Sequence, residues 1–177
     1  MKRFCFFLIF VFLLITNTVA FAQDSQTSGW RSWHSSDKQI QINYKNDWRF
    51  TQPNEVMVAK FMPVDEYPDG KFTSISLIIS LSDKSVKTLE DIKTFMRGYV
   101  SNFENGKLIS FESIKESNKD VLVTIISLTR NSKPTIYKSY VFLYKNKMYN
   151  LMLISSKDEF ERNEVILKTM HESLVIK

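Results

Sequence analysis

Short segments in which apolar and polar residues alternate recur along most of this chain, and they constrain its fold more than any other feature. Ile40, Ile42 and Tyr44 alternate with polar neighbours, as expected of a strand with one face in a core. Clusters of turn-forming residues separate such segments. Seven strands are predicted in this way, at 40–45, 56–62, 75–81, 108–114, 121–129, 135–144 and 148–154. Because short turns join the last four, we expect a run of antiparallel strands.

A helix is predicted between the third and fourth strands, where the period changes from two to between three and four. Thr88 is its expected N-cap, and Asn105 and Gly106 are its stop signal. Its apolar residues are expected to line one face towards the core: Leu89, Ile92, Phe95, Met96, Tyr99, Val100 and Phe103.

A second helix is predicted after the last strand. Ser156 and Glu159 have the spacing of a capping box. The apolar stripe that follows consists of Phe160, Leu167, Met170 and Leu174. The order of strands and helices predicts an α+β domain.

The N-terminus has the three parts of a cleavable export signal. Lys2 and Arg3 are followed by an apolar run from residue 4 to 15 and by the small-residue pattern of 20–22. The run is shorter than the roughly 20 residues of a membrane-spanning helix. We therefore expect a signal peptide at 1–22, a mature chain that begins at Gln23, a polar segment at 23–36 and one domain at 37–177.

Cleavage would remove Cys5, the only cysteine. An exported chain without thiols forms no disulfide and no thiolate metal site, so its stability depends on its core. The 155 residues that remain fit a single domain. The formal net charge falls from +5 to +3 when Lys2 and Arg3 are removed, and this mildly basic balance does not by itself indicate nucleic acid.

No catalytic or metal-binding pattern is present in the sequence. His34 and His171 are far apart, and neither lies in a spacing typical of zinc ligands. His171 is better explained as a partner of a helix C-terminus. The loop at 65–70 has carboxylates but lacks the EF-hand pattern. We therefore predict no catalytic residue, no cofactor and no metal.

Tyrosines interleaved with lysines between 137 and 149 raise the possibility of single-stranded nucleic acid. Tyr140, Phe142 and Tyr144 lie on one face of the same predicted strand, however, and a core is the commoner use of such a face. Together with export, this favours a protein that does not bind nucleic acid.

The segment from Ile40 to Trp48 resembles the opening of PsbP-like and DcrB-like domains, which begin with an alternating strand, Tyr-Pro and a tryptophan three residues after the proline. Tyr44 and Trp48 match that opening, and Lys45 replaces the proline. The order of elements from 37 to 177 is also similar. The resemblance implies a single antiparallel sheet with helices packed on both faces. It also implies a protein that acts by docking to other proteins, as members of this superfamily do.

Three functions follow as hypotheses. The first is an exported, non-enzymatic binding or accessory protein of the cell envelope, whose partner is another envelope or extracellular protein. The second is a carrier of a small, lipid-like ligand in an apolar cavity, although the helix at 88–103 argues against a lipocalin barrel. The third is an enzyme of an unfamiliar type. After signal cleavage, no membrane span is expected.

Overall fold

A computed structural model describes residues 29–64, 72–81, 86–103, 105–116, 119–130 and 132–177. The predicted signal peptide, residues 23–28 and the loop at 65–70 lie outside the described residues. The strands are β1 Trp30–His34, β2 Ile40–Lys45, β3 Trp48–Thr51, β4 Met57–Pro63, β5 Thr73–Leu81, β6 Lys107–Lys115, β7 Asp120–Arg130, β8 Lys133–Tyr144, β9 Lys147–Ser156 and β10 Val175–Ile176. The helices are α1 Leu89–Ser101 and α2 Phe160–Glu172, and a short 3-10 helix, Lys157–Glu159, precedes α2.

The strands form two antiparallel sheets. The larger sheet has seven strands in the order β3-β4-β5-β9-β8-β7-β6, and the smaller has three in the order β1-β2-β10. Strands β6 to β9 pair consecutively, as predicted. Strand β5 pairs with β4 on one side and with β9 on the other. This pairing brings the N-terminal strands beside the C-terminal hairpin.

The prediction of a single sheet with helices on both faces is wrong. The protein is mostly β, and β1, β2 and β10 form a second sheet. Alternating residues indicate which face of a strand is apolar, but they do not indicate its partner strand. Here Ile40 and Ile42 of β2 pack in the same core cluster as the larger sheet and α2, so one face of the larger sheet is covered jointly by a helix and by the second sheet.

The principal core lies between the larger sheet, α2 and the smaller sheet. Phe61, Leu151 and Leu167 are fully buried within it. Trp33 and Phe50 extend this cluster at its edge, with ring centroids 5.5 Å apart. The N-terminal strand β1 therefore contributes to the core.

The other face of the larger sheet carries α1. Ile92 packs with Leu122 and Val141, and Val100 packs with Ile126 and Leu128. These strand residues alternate with those of the principal core, for example Val121 and Val123 in β7. The two-residue period thus places α1 and α2 on opposite sides of β7.

The start of α1 agrees with the sequence, but the start of α2 does not. The backbone N–H of Asp91 donates to Thr88 Oγ1 at 3.2 Å, and the N–H of Thr88 donates to Asp91 Oδ2 at 2.8 Å, so Thr88 caps α1. The predicted capping box at Ser156 is wrong. Ser156 is the last residue of β9, opposite Thr135, and makes no side-chain cap bond.

Candidate functional site

Three aromatic side chains on and just after α1 point to solvent. Phe95, Tyr99 and Phe103 are 57%, 43% and 40% exposed. The rings of Tyr99 and Phe103 meet edge to face, with centroids 5.0 Å apart. We call these three residues the aromatic stripe, because they follow one another four positions apart and successive side chains advance by only about 40° around the helix.

The predicted single apolar face of α1 is therefore divided in two. Ile92, Met96 and Val100 pack on the sheet, and the aromatic stripe lies roughly 60° further round the helix. A helix that packs on a sheet buries only the side chains that face it. The apolar sequence of α1 is wider than the surface that the sheet covers, so its aromatic half remains exposed.

Charged side chains occupy the other flank of α1. The guanidinium carbon of Arg97 lies 5.5 Å from the ring centroid of Phe111 in β6, and Glu90 is within ion-pair distance of Lys93 and Arg97. Since Arg97 lies towards β6, the aromatic stripe lies on the side of α1 away from this outer strand. The stripe is thus free of the ion pairs of α1.

The size of the aromatic stripe indicates a contact surface. Phe and Tyr each bury 150–250 Å² when fully covered, so at these exposed fractions the three side chains present roughly 200–350 Å². A patch of this size is near the largest on a typical monomer and is often functional. It is smaller than the ~800 Å² that each partner contributes to a standard interface, so it would form the centre of an interface with a polar rim.

A second feature is a half-open pocket of about 540 Å³ at the end of α2, lined by Glu116, Lys119 and His171. His171 Nε2 lies 2.7 Å from Glu116 Oε1, and Lys119 Nζ lies 3.3 Å from Glu116 Oε2. Lys119 Nζ also lies 4.1 Å from the centroid of the Phe142 ring. His171 stacks on Tyr140 with ring centroids 4.0 Å apart.

The environment of His171 favours its neutral form. Burial lowers the pKa of His171 below its usual range, and the hydrogen bond to Glu116 only partly opposes this. Because the carboxylate accepts from Nε2–H, neutral His171 has an unprotonated Nδ1, and this atom is buried with no hydrogen-bond partner. Protonation would create a buried donor without an acceptor. For Glu116, burial raises the pKa, but the hydrogen bond and charge of His171, with Lys119, lower it overall.

These contacts predict that acid destabilises the fold. A histidine whose pKa is lowered on folding stabilises the fold less as pH falls below its unfolded value of 6.5, and a glutamate with a lowered pKa does so below 4.5. We expect the free energy of unfolding to fall between pH 7 and 5 with a slope of up to about 1.4 kcal/mol per pH unit. Urea melts across this range measure the slope.

The matched variant for this prediction is His171→Gln, whose amide can still donate to Glu116 but does not titrate. Its stability should be nearly flat from pH 7 to 5.5. An equal slope in the variant and the natural protein would show that His171 does not cause the pH dependence.

The geometry of the pocket is better suited to a structural contact between α2 and the β6–β7 connection than to catalysis. One imidazole nitrogen of His171 is occupied by Glu116 and the other is buried, so neither is placed to take a proton from a ligand. Within the described ranges, no group of three or more His, Cys, Asp or Glu side chains is arranged to hold a metal ion. Glu116 joins the β6–β7 turn to the end of α2 across 55 positions of sequence.

The other residues considered from the sequence lie apart from both features. His34 ends β1 and is exposed, opposite Gln41. Glu159, of the predicted capping box, lies 3.0 Å from Arg162. Tyr140 and Phe142 are buried in the principal core, as predicted. The candidate calcium loop at 65–70 lies outside the described residues.

Sequence reasoning missed Glu116 and Lys119 altogether. They lie in the short connection between β6 and β7, where charged residues usually face solvent, and no local spacing connects them with His171. One feature of the sequence indicated that Phe95 would be exposed: α1 contains more apolar residues than a single buried face can hold.

Comparison with solved structures shows the class of fold. The chain has a PsbP-like fold, although no family model matches its sequence and no curated protein is significantly similar. Among the described residues, no helix is both long and apolar enough to cross a membrane.

Three solved structures illustrate the likeness. Cyanobacterial PsbP (CyanoP) from Synechocystis has a TM-score of 0.62 at 15% identity, over 86% of this chain and 95% of its own. LpqN of Mycobacterium tuberculosis, described as involved in cell envelope biogenesis, has a TM-score of 0.61 at 14% identity, over 84% and 90%. The Ran-binding protein Mog1p of Saccharomyces cerevisiae has a TM-score of 0.58 at 8% identity, over 85% and 96%. At such identities, the likeness concerns the fold alone.

Proposed function

We propose that this protein is an exported, non-enzymatic accessory protein of the cell envelope that docks onto another protein through the aromatic stripe. The observation that carries the proposal is the exposure of Phe95, Tyr99 and Phe103 on one side of α1. Aromatic residues that are desolvated at the centre of an interface contribute most of its binding energy. Export is supported by the signal pattern at residues 1–22 and docking by the Ran-binding description of a structural neighbour.

The shape of the stripe indicates the kind of partner. A helix with anchors four positions apart is convex, and it binds in an apolar groove of the other protein. Pairing of two copies through α1 alone is disfavoured, because the stripe is convex on both copies and neither copy would supply a groove for the other. The partner is therefore a protein with an apolar groove.

Strand addition at β6 is a weaker alternative. In the described part of the chain β6 is an outer strand of the larger sheet, but its pairing shifts register between Leu108 and Ser110. Lys107 and Lys115 lie at its two ends. A bulge and terminal lysines are features that protect an outer strand from further pairing.

Photocrosslinking in intact cells tests the proposal. A benzophenone amino acid at Asn102, which is exposed and lies only about 20° around the helix from Phe95, should form adducts with one or a few envelope proteins. The double substitution Phe95→Gln and Tyr99→Gln should reduce these adducts at least about tenfold by removing the interface centre. Because both side chains are exposed, the thermal melt should change little.

The matched control is Val165→Gln, a substitution of a 65% exposed apolar residue on α2, on the other side of the sheet. It should leave the adducts unchanged. If the double variant keeps its adducts, or if the control loses them equally, docking through the stripe is excluded.

A further inference from the structure

A second pocket, of about 440 Å³, lies at the junction of the two sheets. Trp33 of β1, Ile79 of β5 and Tyr149 of β9 line it, and Ile79 is directly opposite Tyr149 in the strand register. Its volume is within the range of small-molecule sites in proteins. It is distinct from the pocket of His171, and the proposed docking surface does not include it.

The inner part of this pocket is apolar. Trp33, Val58, Ile79 and Ile176 are each only half-buried where they line it, although all four pack against the principal core. Their uncovered surface is water-exposed apolar area, and an apolar chain placed there would remove it from water.

The rim of the pocket is basic. Lys145, Lys147 and Lys177 line it, and none of their ammonium groups lies within 4.0 Å of an Asp or Glu carboxylate in the described part of the chain. Lys145 Nζ donates to the main-chain oxygen of Lys177 at 3.3 Å, which leaves two of its three N–H donors for a ligand. Lys147 is two positions from Tyr149 in β9, so both project from the same face of the strand. These ammonium groups therefore have hydrogen-bond donors available next to the apolar wall.

The two acidic side chains of the lining form no ion pair with these lysines in the described part of the chain. Asp37 lines the pocket but accepts hydrogen bonds from Ser35 Oγ and from the backbone N–H of Gln39 at 3.1 Å. These bonds lower the pKa of Asp37, with a smaller effect from the charge of Lys147. The carboxylate thus holds the turn after β1, and Glu55 is the other acidic side chain of the lining.

We infer that this pocket binds an amphiphile with an apolar chain and an anionic head, either a carboxylate or a phosphate. The chain lies against Trp33 and Ile79, and the head lies at Lys145 and Lys147. Such a ligand would cover the apolar wall and accept hydrogen bonds from the ammonium groups of Lys145 and Lys147. Neither a neutral nor a cationic amphiphile of the same length would do so.

Displacement of dansyl-labelled undecanoate from the purified protein tests this inference. Dodecanoate and dodecyl phosphate, both below their micelle concentrations, should displace the probe, and dodecanol and dodecyltrimethylammonium should be at least about tenfold weaker. Replacing Lys145 and Lys147 together by glutamate should weaken dodecanoate at least about tenfold and leave dodecanol unchanged. The control, Lys107→Glu with Lys168→Glu, makes the same change of charge at exposed sites elsewhere.

Three results would overturn the inference: no displacement by dodecanoate, equal affinity for dodecanol, or an equal loss in the control variant. Vesicles that contain phosphatidylglycerol separate the pocket from a membrane surface. Binding to vesicles without binding of monomeric dodecanoate or dodecyl phosphate would assign the lysines to a lipid surface and would also reject the pocket. The variants keep the aromatic stripe, so failure here leaves the docking proposal to its own test.

Discussion

Trp48→Ala should lower the free energy of unfolding by about 3–5 kcal/mol, as deletions of large aromatic side chains do in cores. Trp48 is 4% exposed and lies in the principal core. It begins β3, directly opposite Pro63 of β4. Because β3 is only four residues long, few other contacts are available to hold it when the indole is removed.

Urea unfolding of the chain that lacks residues 1–22 measures this loss. Trp30→Ala is the matched control, since Trp30 is half-buried at the margin of the same cluster and its loss should be less than half as large. A change below about 1 kcal/mol for Trp48→Ala would contradict its place in the core.

Gly106→Ala should also destabilise the protein, by about 1–3 kcal/mol, because there is no room for a side chain. A Cβ at this position would lie 2.4 Å from the backbone oxygen of Val100 and 3.2 Å from Leu128 Cδ2. Since the first of these atoms belongs to the end of α1, the helix would have to move away from the sheet. Phe103 of the aromatic stripe, 3.1 Å from the same Cβ, would move with it.

Gly98→Ala provides the opposite result in the same region. Gly98 lies within α1 with no atom within 4 Å of its added Cβ, so alanine should stabilise the protein by about 0.5–1 kcal/mol through helix propensity. Thermal melts of the two variants side by side are the measurement. If both variants shift the melt in the same direction, the close approach at Gly106 is not the controlling contact.

The aromatic stripe and the ligand pocket place two surfaces at different parts of the fold. The stripe lies on the α1 side of the larger sheet, and the pocket lies where the smaller sheet meets the other side. Substitutions at one surface should therefore leave the other unchanged, because distant sites without shared contacts act nearly independently. A protein that docks through α1 could bind an amphiphile at the same time.

Some features of the site followed from local patterns and others did not. The cap of α1 at Thr88 was predictable, because it depends on neighbouring residues, but the helix ends at Ser101, before the predicted stop at Asn105 and Gly106. The contact of His171 with Glu116 was not predictable, since it joins a helix end to a turn 55 positions away. Likewise, Asn163 is fully buried and donates to Thr73 Oγ1 at 2.7 Å, although its sequence position on α2 resembles any polar helix residue.

The periods in this sequence, two residues in strands and three to four in helices, were enough to locate most strands and both helices, because the period of a segment depends only on the geometry of its own backbone. The two-residue alternation predicted that Tyr140 and Phe142 would be buried. It did not show that β10, two residues at the C-terminal end, would pair with β2 to make a second sheet. Pairing depends on which apolar faces meet when distant segments pack, and that is a property of the folded chain. For the same reason only the packed sheet shows which half of α1 is buried and which half, the aromatic stripe, faces solvent.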